Sequence, residues 1–127
     1  MRLWIDDVRP APEGYYWCKT VNEAKEQILL AEKLEKRFME RGNKFFKERK
    51  YVLRSKMYDL ANKYSIDLID MDHDAGFYAL EGGDYIKLLD WLEETGRNYP
   101  IRIHSMNPVG IENMQRIIRK NGWKEVK

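Results

Sequence analysis

The sequence predicts an α/β fold in which a mainly parallel sheet is flanked by helices. Three short predicted strands, at residues 3–5, 66–71 and 101–103, each end in a polar cluster. The longer segments between them carry apolar residues at helical spacing. Strands that alternate with helices in this way pair in parallel, in a sheet that helices cover on both faces. We therefore expect a single domain over residues 1–127.

The first two predicted strands are separated by a loop. Residues 2–5 form the first strand, and the aromatic-rich residues 15–19 form the second. The loop between them contains two prolines and a glycine, which favour turns over regular structure. Thr20 or Asn22 is placed to cap the helix that follows, because either side chain can accept a hydrogen bond from the first turn.

The segment between the second and third predicted strands is long and basic. Its apolar residues form two helical stripes separated by Gly42-Asn43, which predicts a helical hairpin, or one long helix with a break, at about residues 30–64. Residues 36–56 contain nine Lys or Arg and two Asp or Glu, a balance of +7 in a chain of +2, so the other residues carry −5. A solvated helix face and a contact surface for RNA or another polyanion are both open interpretations.

The second half of the chain continues the alternation of strands and helices. Residues 66–71 form a strand, and Asp84 is placed to cap the helix after it. After the strand at residues 101–103, Asn107 is predicted to cap the next helix, and residues 123–126 form a final short strand.

Composition narrows the setting in which the protein works. The lone Cys18 excludes an internal disulfide and suits a reducing compartment. Because the chain opens on a strand, we expect no signal peptide. No apolar run approaches the roughly 20 residues that span a bilayer. We therefore expect a cytoplasmic protein without a membrane partner.

The polar clusters at the strand ends carry the candidate chemistry. They are Asp6-Asp7, Asp72-His73-Asp74 and His104-Ser105. In a parallel sheet all three lie at one edge, outside the carboxyl ends of the strands, where such sheets bind ligands. Any single cluster is also typical of a turn or a cap, but three at one edge favour a functional site.

The acidic residues of these clusters are candidate metal ligands. Clustered carboxylates repel one another unless a cation joins them. Asp6, Asp7 and Asp72 offer oxygen ligands of the kind that Mg²⁺ prefers, and nearby histidines would favour Mn²⁺ instead. His73 and His104, the two histidines of the chain, are candidates for general acid and base.

The turn after the strand at residues 101–103 leads into a helix whose N-terminus suits a phosphate. Gly110 in its first turn offers an N–H and lets an anion approach the backbone, although helix capping explains the turn equally well. Arg9 follows the first acidic pair and could grip a phosphate through two hydrogen bonds, or form a salt bridge to Asp7 or Asp74. The candidate substrate-binding residues are Arg9, Asp74, Ser105, Asn107 and Gly110.

Together these motifs resemble the cyclic-phosphate-processing receiver-like domain family, a derivative of the response-regulator receiver fold. The motifs that carry the resemblance are residues 5–10, 71–76 and 103–110. The resemblance covers roughly residues 1–29 and 65–118. It implies a receiver-like (flavodoxin-like) sheet, with residues 30–64 as an inserted helical hairpin. It also implies a role in processing cyclic phosphates, such as RNA ends with a 2′,3′-cyclic phosphate.

Comparison with an ordinary receiver sharpens this expectation. A receiver has an acidic pair after its first strand, a phospho-acceptor Asp after its third and a Ser or Thr after its fourth. The matching residues are Asp6-Asp7, Asp72 and Ser105. The Lys-Pro that follows a receiver's fifth strand has no counterpart here, which argues against signalling by aspartyl phosphate. His73 and His104 are additions that a plain receiver lacks.

The clusters at the strand ends predict a metal-assisted phosphate-handling site, and the resemblance implies that the substrate is a cyclic phosphate of RNA or of a nucleotide, so the expected function is a metal-dependent phosphoesterase. His73, His104 and Asp72 would be catalytic, and Asp6, Asp7 and Asp72 would hold Mg²⁺ or Mn²⁺. The alternative is a non-enzymatic receiver-like module that binds a nucleotide, an RNA end or a protein partner. Residues 36–56 are a possible RNA contact, and the inserted hairpin could instead bind a partner protein or another copy of the chain.

Overall fold

The computed structural model describes every residue from 1 to 127. Its elements follow one another in the predicted order. The strands are β1 (Arg2–Ile5), β2 (Tyr15–Cys18), β3 (Leu68–Met71), β4 (Ile101–Ile103) and β5 (Glu125–Val126). The helices are α1 (Val21–Lys47), α2 (Tyr51–Tyr64), α3 (Ile86–Glu94) and α4 (Pro108–Asn121), and a short 3-10 helix spans Gly76–Leu80.

All five strands are parallel, in the order β2-β1-β3-β4-β5. The predicted α/β fold with a receiver-like, flavodoxin-like sheet is therefore confirmed. The order reverses between β1 and β3, because the chain first steps outward to β2 and then returns past β1. In open parallel sheets, ligands bind at such a reversal, beyond the carboxyl ends of the strands.

The helices cover only one face of the sheet, which differs from the predicted coverage of both faces. Connections between parallel strands are almost always right-handed. The crossovers from β2 to β3, from β3 to β4 and from β4 to β5 all step in the same direction across the sheet, so α1, α3 and α4 pack on the same face. The crossover in the opposite direction, from β1 to β2, is a loop of nine residues without a helix.

The two faces of the sheet consequently differ in composition. Leu3, Ile69 and Ile101, which are aligned across β1, β3 and β4, lie in the buried core, whose helical residues come from α1, α3 and α4. The opposite face carries Trp4, Asp70 and Arg102, which are aligned across β1, β3 and β4. The loop between β1 and β2 reaches this second face, where the Arg9 carbonyl accepts a hydrogen bond from Trp4 Nε1 at 2.9 Å. Polar and aromatic side chains can therefore meet there.

Helices α1 and α2 form the predicted hairpin, but the break lies later in the sequence than expected. Helix α1 runs through Gly42-Asn43, and the turn lies at residues 48–50, where Arg49 has a left-handed backbone (φ 60°). A Cβ on Gly42 would lie 2.4 Å from the ring of Tyr58 on α2. Gly42 is therefore a packing residue that lets the two helices close, and it does not interrupt the helix.

The hairpin extends from the edge of the sheet that is opposite to the carboxyl ends of the strands. Glu32 on α1 accepts hydrogen bonds from Arg97 at 2.8–3.1 Å and from Tyr99, which both lie just before β4. Residues 33–47 continue beyond this contact for about four helical turns. The tip at residues 48–50 consequently lies about 40 Å from the start of α1, which is the length of that helix.

Two of the predicted helix caps are confirmed and one is wrong. Thr20 and Asn107 cap α1 and α4, since each side-chain oxygen accepts a hydrogen bond from the backbone N–H three residues later. Asp84 does not cap α3, because the helix starts from Tyr85. Its carboxylate accepts a hydrogen bond from the Ala75 N–H at 3.0 Å instead, which ties the loop after β3 to the start of α3.

Cys18 lies in the core at the end of β2, where its side chain is fully buried. Burial raises the pKa of its thiol to about 12, so this cysteine is an unreactive packing residue. None of the helices combines the length and the apolar composition that crossing a membrane requires.

Candidate active site

The three polar clusters lie at one edge of the sheet, because β1, β3 and β4 are adjacent and parallel. Backbone hydrogen bonds continue the pairing just past the strands. The Asp72 N–H donates to the Ile5 carbonyl, and the His104 N–H donates to the Met71 carbonyl, both at 2.9 Å. The register of the sheet therefore places Asp6, Asp72 and His104 side by side, at the point where the strand order reverses.

Asp6, Asp7 and Asp72 form a compact acidic cluster. One carboxylate oxygen of each lies within 4.8 Å of the others. Asp6 is buried, whereas Asp7 and Asp72 are partly exposed, so the cluster is open to solvent on one side. A Cβ on Gly76 would lie 2.6 Å from Asp7 Oδ2, and the backbone there is left-handed. Only glycine lets the loop after β3 approach this carboxylate so closely.

The carboxyl groups of Asp6 and Asp7 have pKa values shifted in opposite directions. Burial alone would raise the pKa of Asp6, but hydrogen bonds from two backbone N–H groups of the following loop and from His104 hold that pKa below its usual range. Burial raises the pKa of Asp7, and the charges of Asp6 and Asp72 raise it further. Three carboxylates around a shared opening fit a hard divalent cation such as Mg²⁺, which would relieve this repulsion.

His104 is held between two carboxylates. Its Nδ1 lies 2.6 Å from Asp70 Oδ1, and its Nε2 lies 2.9 Å from Asp6 Oδ2. The imidazole also stacks on Trp4, with ring centroids 3.8 Å apart and planes 6° apart. An ionised carboxylate can only accept hydrogen bonds, so both contacts are hydrogen bonds only when both ring nitrogens carry hydrogen. The two contacts and the stacking on Trp4 together fix the orientation of the ring beside the acidic cluster.

Asp70 is a residue of the site that sequence interpretation missed. It is fully buried, its Oδ2 accepts no hydrogen bond, and Arg102 Nη1 lies 3.7 Å from that oxygen. A buried carboxylate in the middle of a short strand is rare unless it is paired with another group. The position of Asp70 within the strand was therefore the sequence feature that could have indicated a role in the site. The partner was not readable, because His104 lies 34 positions away on another strand.

Arg9 lies beside His104 and Asp6, and not beside Asp7 or Asp74. Its Nη1 donates a hydrogen bond to the His104 carbonyl at 3.4 Å, and its Nε lies 4.0 Å from Asp6 Oδ2. The side chain is half-exposed. The guanidinium therefore stands at the rim of the cluster, where it is accessible to a ligand.

His73 belongs to a second histidine–aspartate pair. Its Nδ1 lies 2.9 Å from Asp74 Oδ1, and Asn107 Nδ2 donates to Asp74 Oδ2 at 3.5 Å. The ring is mostly buried, and its Nε2 makes no hydrogen bond within the protein. The two histidines are thus held differently, because His104 has both ring nitrogens engaged and His73 has only one.

Gly110 contacts His73, a role that sequence interpretation did not predict. A Cβ on Gly110 would lie 2.5 Å from the imidazole Cγ. The Gly110 N–H already donates to Asn107 Oδ1 at 3.0 Å, so an anion would have to displace that cap. Ser105 Oγ accepts a hydrogen bond from the Asn107 N–H at 3.1 Å, which makes it part of the turn before α4. Phosphate binding by these three residues stays a prediction.

Fold and site together define a receiver-like α/β domain with an acidic cluster and two histidine–aspartate pairs at the edge of its sheet. The sequence model of the family described as "Cyclic-phosphate processing Receiver domain" matches residues 45–120, more than half of the chain. The chain therefore belongs to the cyclic-phosphate processing receiver domain family, as the resemblance predicted. The matched range contains Asp72, His73 and His104 and begins after the acidic pair of β1. No curated protein and no solved structure matches the chain.

Proposed function

We propose that this chain is a metal-dependent phosphoesterase that hydrolyses a cyclic phosphate, at a 2′,3′-cyclic phosphate end of RNA or in a cyclic nucleotide. Membership of the family supports a cyclic-phosphate processing context. The observation that carries the proposal is the placement of two histidine–aspartate pairs at the same sheet edge as three clustered carboxylates. The single buried cysteine supports a cytoplasmic location.

The proposal assigns Asp6, Asp7 and Asp72 as ligands of Mg²⁺ or Mn²⁺. A bound cation would supply positive charge that polarises the phosphate and stabilises the charge that develops on it. Burial and two acidic neighbours raise the pKa of Asp7. This shift supports a role as a metal ligand, because a bound cation would compensate the negative charge of the carboxylate. Asp72 also accepts a hydrogen bond from the His73 N–H at 2.7 Å, so it connects the ligands to one of the histidines.

Hydrolysis of a cyclic phosphate needs both a base and an acid. Water attacks phosphorus, the bond from phosphorus to one ribose oxygen breaks, and the products are a phosphate monoester and a free hydroxyl. The attacking water loses one proton and the leaving ribose oxygen gains one. His73 suits the base, because Asp74 holds its Nδ1 and its Nε2 is unpaired. His104 would be the acid, exchanging its contact with Asp6 for one with the leaving oxygen.

The remaining site residues would position the substrate. Arg9 at the rim can grip two phosphate oxygens through its guanidinium. Ser105, Asn107 and Gly110 lie at the start of α4, where the helix dipole favours an anion. Asp74 already contacts His73 and Asn107, and it could accept a hydrogen bond from a ribose hydroxyl.

The paired state of His104 favours a second candidate function, a non-enzymatic module that binds a nucleotide, an RNA end or a protein partner. A general acid must release a proton to the substrate, and both ring nitrogens of His104 already contact carboxylates. A ring held in this way can serve as a fixed element of a binding surface.

Turnover and binding measured on the same preparation separate the two functions. The purified chain is incubated with 2′,3′-cyclic and 3′,5′-cyclic nucleotides in Mg²⁺, in Mn²⁺ and in EDTA, and the products are separated by chromatography. We expect a monophosphate to form from at least one substrate in metal and not in EDTA. Calorimetric binding of a cyclic nucleotide without product in any metal would establish the binding module. If the chain neither binds nor hydrolyses any of these compounds, both a phosphoesterase that acts on cyclic nucleotides and a module that binds them are contradicted.

A further inference from the structure

The candidate active site makes no use of the hairpin of α1 and α2. Residues 36–56 carry nine Lys or Arg, and all of these side chains are exposed except Arg54, which is partly exposed. Only Lys50 forms an ion pair, with Glu48 at 3.3 Å. The hairpin therefore presents a concentrated positive charge that the protein itself does not neutralise.

Aromatic rings are exposed among these cations at the tip of the hairpin. Phe46 is 54% exposed and Tyr51 is 51% exposed, and their ring centroids are 6.4 Å apart. The Arg54 guanidinium lies over both rings, at 5.6 and 5.2 Å from their centroids. Surfaces that bind single-stranded nucleic acid combine these two elements, because bases stack on the rings and phosphates contact the cations.

A cavity lies between the two helices close to the tip. Its volume is about 260 Å³, and it is lined by the apolar side chains of Phe45, Leu53 and Met57 and by the exposed cations Arg41 and Lys44. A lining that combines apolar side chains with exposed cations suits a planar base and its phosphate. The larger cavity of the molecule, about 350 Å³ at the start of α1, is lined by three glutamates and one lysine and would repel a phosphate.

We propose that the hairpin tip and this cavity form a binding site for single-stranded RNA. Charge complementarity selects a polyanion, because residues 36–56 carry +7 whereas the rest of the chain carries −5. The choice of RNA among polyanions rests on the proposed function, since an RNA end is the long polyanion that the candidate active site would process. The tip is about 40 Å from the start of α1, so it would contact RNA far from the processed end and would not touch a mononucleotide.

The test measures binding without any chemistry at the RNA end. Fluorescein-labelled 20-nucleotide oligouridine with an ordinary 3′-hydroxyl is titrated with the full chain in EDTA over a series of salt concentrations, and anisotropy is recorded. The hairpin variant combines Lys47→Gln, Arg49→Gln, Lys50→Gln and Arg54→Gln. The matched control, with the same change in net charge, combines Lys87→Gln, Arg116→Gln, Arg119→Gln and Lys127→Gln on exposed positions outside the hairpin.

We expect the hairpin variant to bind at least about tenfold more weakly than the parent at 0.1 M salt. The slope of log affinity against log salt should fall by about 3, since each lost phosphate contact on a single strand removes about 0.7. The control variant should bind within about twofold of the parent. In a separate variant, Phe46→Ser with Tyr51→Ser should lower affinity by roughly tenfold and leave the slope unchanged, because stacking is lost without loss of charge.

Three results would overturn the proposal. They are equal affinity of the parent and the hairpin variant across the salt series, an equal loss in the control variant, and tighter binding of the parent to phosphatidylserine vesicles than to RNA. The last result would assign the exposed rings and cations to an anionic membrane surface. Because the RNA has no cyclic phosphate and no metal is present, failure here leaves the proposed phosphoesterase activity untouched. Failure of that activity likewise leaves this binding measurable.

Discussion

The sheet edge and the hairpin tip differ in charge and in how firmly their polar groups are held. Asp6 at the sheet edge is 1% exposed and accepts hydrogen bonds from two backbone N–H groups and from His104, at 2.8–2.9 Å. At the tip, the cations are exposed, apart from the partly exposed Arg54, and only Lys50 has a carboxylate partner. Groups held by several hydrogen bonds suit chemistry at one fixed point, whereas exposed cations suit contact with a polymer backbone. Under the two proposals, the sheet edge would carry the reaction and the hairpin tip would supply affinity for RNA.

The largest effect is expected at the sheet edge. If the domain is a phosphoesterase, His104→Ala should lower turnover of a cyclic substrate by roughly 10²-fold or more, the usual contribution of a general acid or base. Asp70→Asn should lower kcat by at least about tenfold with little change in KM, because the carboxylate that orients the ring is lost. Steady-state kinetics measures both, and circular dichroism checks the fold.

The matched control for Asp70→Asn is Asp90→Asn, which alters an exposed carboxylate on α3 and should leave the rate unchanged. A rate for His104→Ala within a few-fold of the parent would show that His104 only packs on Trp4 and orients its neighbours. The hairpin charge variant should keep the parental rate on a mononucleotide, since its changes lie beyond the opposite edge of the sheet.

The second-largest effect is expected on metal affinity, when a carboxylate of the acidic cluster is removed. Asp72→Asn, and Asp7→Asn less strongly, should weaken Mn²⁺ or Mg²⁺ binding by at least about 10-fold to 100-fold. Loss of a residue that only orients a metal ligand already has an effect of this size, so loss of a ligand should have at least the same effect. Isothermal titration calorimetry measures the affinity, with Asp90→Asn again as the control. Unchanged binding in both variants would remove the acidic cluster as a metal site.

Two glycines provide a matched pair of substitutions in the two regions. Gly110→Ala adds a methyl group 2.5 Å from the His73 ring, and Gly42→Ala adds one 2.4 Å from the Tyr58 ring. Each should lower the free energy of unfolding by about 1–3 kcal/mol through overpacking, as measured by urea denaturation. Only Gly110→Ala should also lower turnover, and only Gly42→Ala should weaken RNA binding. An equal loss of turnover in both would show that the hairpin supports the active site.

The smallest effect concerns Asp7 and pH. Because the pKa of Asp7 is raised in the folded state, its contribution to stability is present below its ordinary value of 3.8 and is lost as the pH rises through the folded-state pKa. At pH 7 the ionised group therefore destabilises the metal-free protein, and Asp7→Asn should raise the midpoint of thermal unfolding by a few degrees in EDTA. Saturating Mg²⁺ should cancel the difference by stabilising the parent more than the variant. A lower midpoint for the variant in EDTA would contradict the repulsion within the cluster.

Residue pattern alone predicts the order of the elements and the edge at which the polar clusters meet. These predictions rest on local features that can be read from neighbouring residues: helical periodicity, the caps Thr20 and Asn107, and the polar clusters at the ends of the strands. Parallel pairing then brings Asp72 and His104 to one edge, because parallel strands share the direction of their carboxyl ends. The hairpin was predictable for the same reason, although its turn was placed several residues too early.

Only the tertiary structure decided which side chains contact each other and which face of the sheet the helices cover. The one-sided sheet follows from the spatial order of the strands, and nothing local in the sequence specifies that order. The pairing of Asp70 with His104 and the contact of Gly110 with His73 join residues on different elements. Such contacts depend on the relative placement of whole strands and helices, which the packing of the core determines, and therefore no pattern within a single segment reveals them.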